Sequence, residues 1–119
     1  MREPMTHTMR LQSSPFEMIA SGQKTIELRL FDEKRQTIAV GDQIRFINAT
    51  DETQVLLCKV LALHRFDSFS ALYASLPLQK CGYTEEEISV ARPEDMELYY
   101  SKEEQSRYGV VGIEIALIG

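Results

Sequence analysis

The sequence predicts a small mixed α+β barrel, a curled sheet with short helices capping its ends. Three observations lead there. The chain opens and closes on segments with apolar residues at every second position, Met5–Leu11 and Gly109–Ile118, the repeat of half-buried strands. Between them the pattern runs through a two-turn helix, about three strands and a helical excursion, an order that suits a barrel whose terminal strands meet. At 119 residues, 44% hydrophobic and 26% charged, the chain has the size and composition of one globular domain, read here as residues 1–119. An open α/β sandwich is the alternative.

Each element has its local reason. In Met5–Leu11, His7 falls on the apolar side with Met5, Met9 and Leu11 and reads as a core-edge histidine bonded to backbone. Ser13-Ser14-Pro15 starts a helix, a serine accepting free N–H groups and the proline pre-set for the first turn. Phe16, Ile19 and Ala20 form its apolar face and Gly22 its left-handed stop. In Gln23–Leu30, Ile26, Leu28 and Leu30 point one way, and Thr25, Glu27 and Arg29 the other. A polar loop, Phe31–Thr37, leads to the turn Gly41-Asp42 and a strand over Gln43–Asn48. Thr53–Phe66 is a long, bent strand.

The second half is helical. Ser68 caps a helix carrying Phe69, Leu72, Tyr73 and Leu76, which Pro77 ends. Thr84 with Glu87, and Ser101 with Glu104, are capping boxes that open two more helices. Pro93–Tyr99 forms a further helical turn. Gly109–Ile118 closes the chain, with Val111, Ile113, Ile115 and Leu117 on one side.

Charge and cysteine usage narrow the function classes. Thirteen basic against eighteen acidic residues give a net charge of −5, which argues against a general polycation for nucleic acid but leaves room for a local basic cleft. The apolar runs Val55–Leu63 and Val110–Gly119 are broken by Lys59 and Glu114 and fall far short of the roughly 20 residues of a membrane helix, so no membrane partner is expected. Met1-Arg2-Glu3-Pro4 shows no apolar core followed by a small-residue cleavage site, so no secretory signal is expected. Cys58 and Cys81 form no C-x-x-C pair, and Cys58 sits in an apolar run; a cytoplasmic protein with free thiols is expected. His7 and His64 have no companion at metal-ligand spacing. Neither a metal nor another cofactor is expected.

Chemistry concentrates in Gly22-Gln23-Lys24-Thr25-Ile26-Glu27-Leu28-Arg29. Lys24 emerges where the helix hands over to the strand, with its ammonium free to swing. Together, a lysine, a carboxylate and a guanidinium can hold a phosphate and move a proton. On residue types alone, Glu27 and Arg29 read more simply as a solvated ion pair worth under about 1 kcal/mol.

The segment Gly22-x-Lys24-x-x-Glu27-x-Arg29 resembles the G-x-K-x-x-E-x-R signature of the ASCH family, the activating-signal-cointegrator homology domains. Val40–Phe46 is similar to that family's second turn and strand, and Tyr99–Glu114 to its closing segment. The resemblance implies a PUA-like β-barrel with a cleft, between barrel and helices, that binds RNA, a nucleotide or a nucleoside. It places Lys24, Glu27 and Arg29 in that cleft. Lys34 and Arg35, in the following loop, would add phosphate contacts. Tyr99, Tyr100 and Tyr108 are candidates for base stacking, with packing against the core as the plainer reading.

Two hydrolytic activities also come with the resemblance, each naming Lys24 and Glu27 as catalytic candidates. One is an N4-acetylcytidine-type amidohydrolase that uses a lysine, a threonine and a glutamate; here Glu27 stands at the threonine's position. The other is a single-strand ribonuclease, Lys24 stabilising phosphorane charge while Glu27 or a tyrosine handles protons. A protein-interaction module acting through the acidic helices is a third reading. Those helices would repel RNA, confining its footprint to Lys24, Arg29, Lys34 and Arg35.

Overall fold

The computed structural model describes residues 3–118. Met1, Arg2 and Gly119, and with them the tips of the leader reading and of the last apolar run, lie outside the described residues. Five strands form one sheet: β1 (Thr6–Leu11), β2 (Ile26–Leu30), β3 (Gln43–Asn48), β4 (Val55–Phe66) and β5 (Val110–Leu117). Their order is β1-β3-β4-β5-β2. β1 runs parallel to β3, and the other neighbours are antiparallel. The sheet curls into a PUA-like half-barrel with several short helices. One expectation is corrected here. The terminal strands do not meet, because β5 is enclosed by β4 and β2, and the sheet's edges are β1 and β2.

Helix α1 (Ser13–Ala20) follows β1 directly and buries Phe16 and Ile19. Two such side chains contribute about 3–6 kcal/mol on burial, which a helix this short needs because in isolation it is marginal. Its start differs from expectation. Gln12 occupies the cap position without a side-chain bond, and Ser13 directs its hydroxyl to Asn48 and Thr50 instead. Gly22 ends the segment at φ +84°. β4 carries a bulge between Val60 and Ala62, the source of its expected bend.

Helices α2 (Phe69–Ser75), α3 (Glu85–Val90) and α4 (Lys102–Tyr108) alternate with 3-10 turns at Leu78–Cys81 and Pro93–Leu98. Ser68, Thr84 and Ser101 each accept the backbone N–H that capping requires. Two cores result. In one, Met9, Leu11, Phe46, Val111 and Ile113 pack with α1. In the other, Leu30, Phe69, Leu72, Met96 and Val110 join the helices to the sheet. Leu117, grouped by alternation with Val111, Ile113 and Ile115 on one side of β5, is exposed, as is Met5.

His7 sits at the core edge, but its partner is a side chain and not backbone. Its Nε2 lies 2.8 Å from Oδ2 of the buried Asp42. That carboxylate also accepts the N–H groups of Met5 and Ala39 at 3.0 Å. Asp42 of the Gly41-Asp42 turn therefore ties the start of β1 to the turn before β3.

Candidate functional site

β2 positions the signature residues, and it is covered on both faces. Leu28 and Leu30 pack into the helical core. Glu27 and Arg29 lie on the other face, at the seam where the sheet fails to close between β1 and β2. Arg29 donates from Nη2 to the carbonyl of Arg10 on β1 at 3.2 Å, so a side chain bridges a seam that no strand ladder closes. The solvated surface pair expected from residue types is not what forms: Glu27 is 4% exposed.

Burial of a carboxylate demands partners, and Glu27 has two. Oε1 takes the Lys24 ammonium at 2.8 Å, and Oε2 takes Nε and Nη2 of Arg29, both at 2.8 Å. Lys24 is thus pinned, and its expected freedom to swing is corrected. Its stem lies against Gly82, where a Cβ would come within 3.1 Å of Cδ of Lys24; the φ of +100° there also favours glycine. The lysine and arginine keep only 10% and 15% of their side-chain surface open. Burial alone would push the Glu27 carboxyl up, but the adjacent Lys24 and Arg29 charges and hydrogen bonds outweigh it and hold the group below its ordinary 4.5. Ionised, the three side chains carry a net charge of +1.

Around this cluster stand two of the sequence candidates, Arg35 and Tyr100, beside groups not singled out from the sequence, Asp32, Tyr73 and Tyr83. Asp32 accepts from Arg35 twice, at the backbone N–H and at Nη1, each at 3.1 Å. Arg35 leaves its buried Nε without a hydrogen-bond partner among the described residues. The Tyr100 hydroxyl lies in the field of both charge groups: burial raises its pKa first, with Arg29, Glu27, Arg35 and Asp32 acting electrostatically after it. Its ring stacks on Phe69 at 6.1 Å, so Tyr100 combines wall packing with a polar tip. Cys81 and the hydroxyl-bonded pair Tyr73–Tyr83, 2.5 Å apart, complete the helical side.

Other sequence candidates lie apart. Lys34 is exposed at the start of a 3-10 turn, Arg35–Thr37. Tyr99 is 72% exposed. Tyr108 lines a different hollow, with the Arg107 guanidinium 5.1 Å from its ring centre. Lys24, Glu27 and Arg29 therefore converge, Arg35 and Tyr100 flank them, and Lys34, Tyr99 and Tyr108 do not join the cluster.

Comparison with known proteins identifies the family. The family model for the ASCH domain matches residues 9–119. The chain belongs to the ASCH family. Among solved structures it is similar to the hypothetical protein PH0355, with 34% identity and a TM-score of 0.76 over 96% of this chain and 100% of that one. Protein PF0455 from Pyrococcus furiosus is 32% identical with a TM-score of 0.70, covering 96% and 98%. The ASCH protein from Zymomonas mobilis shares the fold at 15% identity and a TM-score of 0.66, over 93% of this chain and 66% of that one. No curated protein matches. Within this ASCH domain no helix of the described residues is long and apolar enough to cross a membrane.

Proposed function

We propose that this ASCH domain binds an unpaired RNA nucleotide at the Lys24–Glu27–Arg29 cluster, in the cytoplasm. One observation carries the reading: a buried carboxylate with both oxygens committed to two cations that keep part of their surface open. Glu27 acts as a strut. It holds Lys24 and Arg29 in place before ligand arrives, so little side-chain entropy is lost on binding. It also trims two positive charges to one, which matches a single phosphodiester. Lys24 has three N–H donors and gives one to Glu27, and Nη1 of Arg29 is used neither by Glu27 nor by Arg10. These are the donors offered to a phosphate or a base edge. Arg35 and the hydroxyl of Tyr100 extend the polar wall. Free, buried Cys58 and Cys81 support the cytoplasmic setting.

The test is a thermal-shift and NMR titration with nucleosides, nucleotides and short single-stranded RNAs. Ligand at 100 times its Kd stabilises the fold by about 2.7 kcal/mol, and Lys24→Met, which keeps the apolar stem, abolishes that gain. A wild-type protein that responds to none of these ligands, or a Lys24→Met variant that responds normally, overturns the reading. Release of cytidine from N4-acetylcytidine, or of fragments from RNA, dependent on Lys24, replaces binding by hydrolysis at the same cluster.

A further inference from the structure

A hollow of about 700 Å³ lies beyond the far end of β2 and includes none of the cluster residues. Phe31, Phe66 and Tyr108 supply its apolar surface; Arg65, Arg107 and Asp67 its charge. A single drug-sized ligand fills about 300–1,000 Å³, so the space suits one nucleotide unit. Its two arginines are held by rings and not by carboxylates. Arg10, Arg29, Arg35 and Arg92 each sit against a carboxylate. Arg65 and Arg107 instead lie over aromatic rings, Cζ 4.1 Å from the Phe31 centre and 5.1 Å from the Tyr108 centre. Neither has an ion-pair or hydrogen-bond partner among the described residues. A guanidinium held by a ring keeps its N–H edge for a phosphate and its outer face for a base. With one aspartate against two arginines, the hollow carries +1 on a chain of net charge −5.

We infer that this groove is a second contact surface for single-stranded RNA, gripping the strand beyond the nucleotide held at Lys24–Glu27–Arg29. The inference rests on the reading of that cluster and adds to it the substrate class: an oligonucleotide and not a mononucleotide. Phe31 follows Arg29, the donor of the cluster nearest to it in the chain, by two residues, about 7 Å at the rise of a strand, so a strand running on from the held nucleotide reaches the groove. An acidic peptide would use the arginine edges but has no use for their faces; RNA uses both.

The experiment measures anisotropy of a labelled single-stranded RNA hexamer over a salt series, beside NMR titration with the mononucleoside 5′-monophosphate. Wild type, Lys24→Met, the pair Arg65→Gln with Arg107→Gln, and the pair Arg65→Lys with Arg107→Lys are compared. Losing two phosphate contacts lowers the single-strand salt slope by about 1.4, and hexamer affinity by about 25-fold at 0.1 M salt. Mononucleotide binding stays at the wild-type value in the glutamine pair. The lysine pair recovers the slope but not the full affinity, since lysine offers no planar face. Hexamer affinity and slope unchanged in the glutamine pair overturn the groove and leave the cluster reading standing. Hexamer binding lost in the glutamine pair but intact in Lys24→Met does the opposite. No binding by wild type overturns both, and an acidic peptide of equal charge competing as well as the hexamer overturns the RNA assignment.

Discussion

Replacing Glu27 by glutamine removes one charge and almost no volume, so its effect isolates the electrostatic role of the strut. Two cations at 2.8 Å would lose their shared counter-charge while staying largely enclosed. Breaking a buried pair in this way costs about 3–5 kcal/mol. A chain of 119 residues unfolds with an entropy of about 0.25 kcal/mol/K, so Tm falls by about 12–20 °C at pH 7. Circular dichroism melts from pH 3 to pH 8 supply the second half of the test. The folded Glu27 carboxyl titrates below its ordinary 4.5, so its contribution is complete above that value and is lost as pH falls through the folded pKa. The gap between wild type and Glu27→Gln therefore closes below pH 4.5. Asp51, also depressed by its bonds to Thr53 and Gln54, is common to both proteins and cancels in the difference. A drop of less than about 4 °C at pH 7, close to 1 kcal/mol, refutes the strut, because exposed pairs are worth that much.

Three further outcomes follow from the packing. Asp42→Ala removes the carboxylate that accepts the N–H groups of Met5 and Ala39 and that His7 contacts; urea unfolding should show a loss of about 2–3 kcal/mol, with faster amide exchange at Met5 and Ala39. In Gly112→Ala a new Cβ meets Leu76 Cδ1 at 2.6 Å and Ile26 Cγ2 at 3.2 Å; the cost of about 1–3 kcal/mol should shrink in a Leu76→Ala background, and additive losses would contradict the contact. Burial pushes the thiols of Cys58 and Cys81 up to about 11, so a thiol-specific reagent at pH 8 should label neither in folded protein and both in denaturant.

Much of the architecture was legible locally. The capping residues Ser68, Thr84 and Ser101, the period-2 segments, and the Gly22 stop each depend on a few neighbouring residues, and short-range sterics and hydrogen bonding decide them. The motif Gly22-x-Lys24-x-x-Glu27-x-Arg29 was visible for the same reason. Alternation along β2 placed Glu27 and Arg29 opposite Leu28, but a period of two says only that two faces differ. It does not say whether the second face meets water. That was decided by the curl of the sheet, which brings Arg10 of β1 within reach of Arg29 and turns a polar row into an enclosed ion cluster. Likewise, Arg65 and Phe31 belong to different strand ends, and Arg107 and Tyr108 to a helix end. Only the β2–β5–β4 neighbourhood gathers them around one groove. Sequence by itself determined which side chains are chemically able to act. Tertiary structure determined which are dry, which are paired and which remain open, because burial depends on what the rest of the chain lays across each face.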